Sequence, residues 1–180
     1  GYAVSFDEKD IRSMGRSAAG VRGIRLRDND YVIGSAILEP ESKVFVISEN
    51  GYGKQTAASE YPIKGRGGKG IKTTNITEKN GPLAGLTTVN GDEDIMVITD
   101  KGVMIRFKIS DVSETGRATL GVRLINLGAD SIVSTMTKVE PEDENENSEE
   151  TTQEVSTEIS DDTKDSDVAR LLDAAQKDGE

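Results

Sequence analysis

Lys64-Gly65-Arg66-Gly67-Gly68-Lys69-Gly70 decides the reading of this chain, because degraded copies of it stand about fifty residues to either side. Gly15-Arg16-Ser17-Ala18-Ala19-Gly20-Val21-Arg22 aligns with Gly65-Arg66-Gly67-Gly68-Lys69-Gly70-Ile71-Lys72, and both align with Gly116-Arg117-Ala118-Thr119-Leu120-Gly121-Val122-Arg123, at offsets of 50 and 51. The register extends outward: Gly1, Gly51 and Gly102 open the three copies, and Leu26, Ile76 and Leu127 each lie eleven residues after the first motif glycine. A period near fifty is the signature of a propeller-like or solenoid array, in which each unit is one supersecondary element that buries its apolar face on its neighbours.

Within a unit the pattern reads as four short strands. Val44-Phe45-Val46-Ile47 and Ile95-Met96-Val97-Ile98 are continuous apolar runs, as expected of strands buried on both faces. Turns follow at Glu49-Asn50-Gly51 and Asp100-Lys101-Gly102, where glycine accepts the positive φ of a tight hairpin. The next strand alternates, with Val103, Ile105 and Phe107 on one side and Met104, Arg106 and Lys108 on the other. Third strands are expected around Val122, Leu124 and Leu127 and around Val21, Ile24 and Leu26. Fourth strands are expected at Tyr31-Val32-Ile33 and Ile132-Val133. Nothing in 1–139 has a helical period. The fold class is therefore all-β and propeller-like, built of four-stranded blades in repeats at 1–50, 51–101 and 102–139.

Composition changes near Val139. Residues 1–139 carry nineteen Lys and Arg against seventeen Asp and Glu, whereas 140–180 carry three against sixteen, so the net charge of −11 is a property of the tail. Partners follow local rather than overall charge, and an acidic chain average does not exclude a polyanionic ligand. Residues 140–163 lack the apolar side chains needed to offset ordering entropy and are expected to be disordered. Val168, Leu171, Leu172 and Ala175 have helical spacing behind Asp165 and Asp167, so a short helix at 166–177 is an option beside a frayed turn.

With no cysteine and no histidine, the chain cannot build a Cys or His zinc site, a disulfide framework, a thiol nucleophile or a Ser-His-Asp triad. No apolar run approaches the ~20 residues that span a bilayer, and no secretory leader is legible, so a cytoplasmic location and no membrane partner are expected. Gly1 replaces an initiating Met at a repeat boundary, which suggests a fragment of a longer chain.

Gly65-Arg66-Gly67-Gly68-Lys69-Gly70 satisfies G-x-G-x-x-G, but a dinucleotide site needs a strand before it and a helix after it. The strand-like Ile71-Lys72-Thr73-Thr74-Asn75-Ile76 follows instead. A phosphate-contacting loop fits better: Gly65, Gly67, Gly68 and Gly70 allow close backbone approach, and Lys64, Arg66, Lys69 and Lys72 supply cations. Such contacts displace condensed counterions, so binding weakens steeply with salt. The bland alternative is a solvated hairpin. Repetition favours contact, since Arg16, Arg66 and Arg117 hold one position and Arg22, Lys72 and Arg123 another, which an array would display as a stripe. Against this, a repeated arginine could pair with a repeated acid such as Asp10, Glu60 or Asp111. Asp92-Glu93-Asp94 and Asp28-Asn29-Asp30 lack calcium-loop spacing and read as acidic turns. Tyr2 and Tyr52 share a repeat position that suits packing.

These residues resemble the C-terminal domain of DNA gyrase A, in the type IIA topoisomerase family. The resemblance covers 1–139 and rests on the repeated G-R-x-x-x-G-[VI]-[KR] unit, on Tyr61-Pro62-Ile63-Lys64 running into the glycine-rich box, and on Gly81-Pro82-Leu83-Ala84-Gly85-Leu86 followed by Asp94-Ile95-Met96-Val97-Ile98-Thr99. It implies a β-pinwheel, a disc of blades that exchange strands, with double-stranded DNA bent around a basic rim. It also implies a noncatalytic segment of an ATP-dependent isomerase, serving DNA supercoiling beside the rest of gyrase A and the ATPase protein, gyrase B, in a heterotetramer. ATP and Mg2+ would be bound elsewhere, in a bacterial, nucleoid-associated enzyme. The family box reads Q-R-R-G-G-[KR]-G on the first blade, whereas this copy opens Lys64-Gly65-Arg66 on a middle repeat and looks degenerate. Two other readings remain open: the equivalent domain of topoisomerase IV, and a propeller scaffold that binds proteins with its cations in internal ion pairs.

Overall fold

A computed structural model describes residues 1–128 and 130–141. The acidic tail from residue 142 onward, with its expected disorder and optional helix, lies outside the described residues. Among the described residues nine strands appear in chain order: β1 (Tyr2–Ala3), β2 (Lys43–Ser48), β3 (Tyr52–Ala57), β4 (Ile71–Lys72), β5 (Leu83–Val89), β6 (Asp94–Thr99), β7 (Met104–Lys108), β8 (Val122–Arg123) and β9 (Val133–Val139). Among the described residues the only helical pieces are 3-10 turns at Glu8–Asp10, Ala58–Glu60 and Ile109–Asp111, which recur at the sequence period. No helix among those residues is long and apolar enough to cross a membrane.

The strands form three antiparallel sheets, in the orders β1-β4, β5-β2-β3-β8 and β7-β6-β9. The four-stranded sheet is not made from one stretch of chain. Its outermost strand β8 belongs to the last sequence repeat and pairs with β3 through Tyr52↔Arg123 and Gly53↔Val122. The same junction recurs one repeat earlier, where β4 pairs with β1 through Tyr2↔Lys72 and Ala3↔Ile71. The second and third repeats thus each hand a two-residue strand to the edge of the preceding one.

β2 buries both faces, as its apolar run requires. Phe45 and Ile47 enter a core with Val89, Ile95, Val97, Ile109, Val112, Ile125 and Val133, which draws on both larger sheets. Val44 and Val46 enter a second core with Tyr61 and Leu83, flanked by Ala3, Ile33 and Ile71. Each fully buried branched side chain contributes about 1.5–3 kcal/mol of transfer free energy, so these two clusters dominate the favourable terms. Phe107 of β7 meets Phe45 edge-on, with ring centroids 6.2 Å apart. Gly51 and Gly102 close the β2–β3 and β6–β7 hairpins at φ values of 75° and 76°, as their turn positions demand.

Several expectations for individual strands do not hold. Tyr31-Val32-Ile33 forms no strand, and Tyr31 and Val32 are 63 % and 61 % exposed. Its counterparts β5 and β9 pair with β2 and β6, whereas among the described residues no strand pairs with residues 31–33. The Val21–Leu26 stretch is reduced to one parallel bridge, Ile24 with Gly68. Its last-repeat equivalent contracts to Val122–Arg123, and the final strand begins at Val133 rather than Ile132. In β6 only Ile95 and Val97 are fully buried; Met96 and Ile98 are half-buried, so that run is covered on one face.

Candidate nucleic-acid interface

The repeated motif places its residues by means of its second glycine. Gly70 and Gly121 adopt φ values of 75° and 84°, a region that side chains disfavour. A β-carbon on Gly70 would lie 2.6 Å from the Ala3 carbonyl oxygen, and one on Gly121 would lie 2.6 Å from that of Gly53. The glycine therefore both turns the chain and lets it press flat onto the preceding repeat, so that Ile71-Lys72 or Val122-Arg123 continues as a strand. Gly20 has the same conformation, with φ at 80°, and meets nothing within 4 Å.

The motif arginine ties the turn to its neighbour. Arg66 donates from Nε to the Asp10 carbonyl oxygen at 3.0 Å and from Nη1 to that of Arg22 at 3.4 Å. Arg117 repeats the arrangement one unit on. Its Nη1 donates to the Lys72 carbonyl oxygen at 3.1 Å, its Nε lies 3.6 Å from the Glu60 carboxylate, and its backbone N–H donates to that carboxylate at 3.2 Å. Asp10 and Glu60, and Arg22 and Lys72, are repeat equivalents. The two basic positions of neighbouring repeats are consequently adjacent: Arg66 beside Arg22, and Arg117 beside Lys72.

Other parts of the glycine-rich box are tied down too. The N–H groups of Lys64 and Gly67 donate to the carbonyls of Ser5 and Gly23, and the Gly68 carbonyl accepts from Arg25 N–H at 2.8 Å. Gly65 and Gly68 are exposed. Under the last motif lies Lys54, only 1 % exposed, whose ammonium donates to the carbonyls of Gly116 at 2.7 Å and Arg117 at 2.6 Å and to Thr119 Oγ1 at 3.2 Å. Burial pulls the Lys54 pKa down to about 8, opposed by the Glu60 carboxylate and helped by Arg117.

Arg16, Arg22, Lys64, Lys69, Lys72 and Arg123 are exposed, and among the described residues none of them forms an ion pair. Lys72 reaches only Asn75 Oδ1, at 3.3 Å. Lys72 and Arg123 stand at the same register of their junctions, opposite Tyr2 and Tyr52. Arg123 donates from Nε and Nη2 to the Tyr52 hydroxyl, at 3.2 and 2.9 Å. In the acidic turn at 92–94, Glu93 and Asp94 are occupied elsewhere. Although burial opposes it, Glu93 is held below the usual carboxylate range by the N–H groups of Asn90 and Gly91 and by Lys138, and Asp94 pairs with Arg106 at 2.7 Å.

Sequence reasoning passes over Lys54, Arg27 and Lys79. Arg27 stacks on Tyr2 with its guanidinium carbon 3.9 Å from the ring centroid, and Lys79 Nζ lies 5.7 Å from that of Tyr52. Neither is repeated, since Thr77 and Asn29 stand in the equivalent columns. Lys54 does leave a signal: its column otherwise holds Val4 and Ile105, and a lysine in an apolar column is a buried lysine in need of acceptors.

The family model described as DNA gyrase C-terminal domain, beta-propeller, matches residues 1–39, 42–90 and 93–140. DNA gyrase A of Staphylococcus epidermidis is 52 % identical over 144 residues, which cover 79 % of this chain and 16 % of that protein. Its Staphylococcus aureus counterpart is 49 % identical over the same length and shares. The chain therefore spans about a sixth of the length of these relatives. Among solved structures, the C-terminal domain of DNA topoisomerase IV superposes with a TM-score of 0.73 at 25 % identity, over 78 % of this chain and 44 % of that one. A DNA gyrase A C-terminal domain gives 0.72 at 25 % identity, over 77 % and 47 %.

Proposed function

The chain belongs to the DNA gyrase C-terminal domain family, and from that membership we propose that its inter-repeat junctions bind duplex DNA through phosphates and bend it along the outer edge of the blades. One observation carries the reading. At both junctions a cation stands exposed at the same register, Lys72 opposite Tyr2 and Arg123 opposite Tyr52, with no carboxylate paired to it among the described residues. A row of unneutralised charges at a fixed structural interval is what a polyanion of regular pitch can follow. Arg16, Arg22, Lys64 and Lys69 also lie exposed in the first two copies of the motif. Arg66 and Arg117 contribute charge while holding the turns in place. Among the motif cations, the alternative of a protein scaffold with its cations locked in internal ion pairs describes only Arg117, through Glu60.

Contacts of this kind carry no base information, so the interaction is sequence-tolerant and its specificity lies in bending. Bending a duplex of a few helical turns costs on the order of several kcal/mol, which phosphate contacts on successive repeats must offset together. In the whole protein the wrapped segment would present a second duplex to a distant cleavage gate with a fixed crossing sign. The contribution to ATP-dependent supercoiling is then geometric, with gyrase B and the rest of gyrase A supplying the chemistry.

The test is DNA affinity at several salt concentrations for the full chain carrying Lys64→Ala, Arg66→Ala, Lys69→Ala and Lys72→Ala together. Affinity should fall, and the slope of log affinity against log salt should flatten by about 0.9 for each phosphate no longer neutralised. Wild-type slope and affinity in the variant would remove the box from the interface.

A further inference from the structure

Each junction sets a tyrosine against a guanidinium, although the arginine comes from a different place in the chain. At the second junction Tyr52 is buried, 7 % exposed, and its hydroxyl accepts two N–H groups along one edge of the exposed Arg123 side chain. The ring also lies within cation–π reach, 5.3 Å from the guanidinium carbon. At the first junction the cross-strand cation is a lysine, and the tyrosine holds Arg27 instead, face-on at 3.9 Å. A bare surface arginine samples many rotamers, and ordering it on a ligand costs about 0.5–1.5 kcal/mol. An arginine already fixed along its Nε–Nη2 edge keeps three N–H donors for an incoming phosphate and has lost that freedom beforehand.

We propose that Tyr52 is a positioning residue for polyanion binding: it pre-orients the Arg123 guanidinium for a bidentate phosphate contact, and Tyr2 does the same for Arg27. The inference rests on the DNA-binding reading above. It goes beyond that reading by assigning work to two tyrosines and to Arg27, and by making Arg123 a geometric contact rather than only a charge.

A double-mutant cycle on the full chain tests it, with linear duplex DNA as the probe. Tyr52→Phe keeps the ring and the packing but removes the acceptor; it should weaken binding about two- to tenfold and leave the salt slope unchanged. Arg123→Ala should lower the slope by about one. In that background Tyr52→Phe should have no further effect, because the tyrosine acts only through the arginine. Arg123→Lys keeps the charge and cannot span the hydroxyl with two N–H groups, so it should match the loss seen in Tyr52→Phe. Equal losses from Tyr52→Phe with and without Arg123, or wild-type affinity in both Tyr52→Phe and Arg123→Lys, would overturn the assignment while leaving DNA binding intact. Wild-type affinity that ignores salt would instead sink the DNA reading, and this inference with it.

Discussion

Arg66 holds the Asp10 carbonyl oxygen at 3.0 Å across 56 positions of sequence. One repeat later Arg117 reaches the equivalent Glu60 through its side chain, half-buried and fixed also to the Lys72 carbonyl. These contacts tie neighbouring repeats together through a planar fork, which lysine cannot reproduce. Arg117→Lys should therefore lower the unfolding free energy by about 1 kcal/mol, and Arg117→Ala by about 1–2 kcal/mol. Urea titration of the variants is the measurement; unchanged midpoints would mean that the stitch adds nothing to the junction.

The motif glycines make a matched pair. Gly20→Ala and Gly121→Ala impose the same left-handed strain, about 1 kcal/mol, because both residues sit near φ of 80°. Only at Gly121 does the new methyl meet a backbone oxygen, at 2.6 Å, on Gly53. The strand exchange would have to shift to admit it, adding about 1–3 kcal/mol. Thermal unfolding of the two variants should differ accordingly, and equal losses would show that conformation alone keeps glycine there.

That contrast also marks what sequence can disclose. The turn glycines at 51 and 102 and the buried run of β2 are local signals repeated in register, and both are legible. The strand exchange is not derivable from residue pattern, since Tyr52 meets Arg123 only after seventy residues of intervening chain have folded. For the same reason Tyr31-Val32-Ile33 looks like a strand. Its composition is right, but a strand exists only with a partner for its N–H and C=O groups, which is a property of the sheet and not of the segment. The basic positions are legible as a stripe, yet their division into ties (Arg66, Arg117) and exposed cations (Lys72, Arg123) depends on distances of a few ångströms that no spacing encodes.

Lys54 offers a prediction with a defined sign. Lys54→Met leaves the Gly116 and Arg117 carbonyls without their donor and should destabilise the fold at neutral pH by about 1–3 kcal/mol. The folded-state pKa of about 8 lies below the ordinary 10.5, so between those values the unfolded chain holds a proton that the folded chain has released. The lysine's contribution to stability then rises with pH across that window, and the variant lacks it. The penalty that Lys54→Met carries should accordingly grow from pH 8 upward. Parallel stability profiles for the two proteins would show that the lysine does not titrate as its burial dictates.

Residues 140–180 carry a net charge of −13 and begin where β9 ends, at Val139. A tethered polyanion competes with DNA for the same cations at an effective concentration set by the tether, whether or not it has structure. Deleting 141–180 should therefore tighten duplex binding. The gain should be largest at low salt and vanish as the Debye length shrinks, because at 0.1 M it is already only about 10 Å. If the tail merely solubilises the chain, affinity is unchanged at every salt concentration. If it acts on the exposed junction cations, Arg123→Ala should reduce the gain from deletion, since the competitor then has one fewer charge to occupy. Measuring deletion and substitution separately and together distinguishes the two, and additive effects would place the tail's influence somewhere other than the exposed cation of β8.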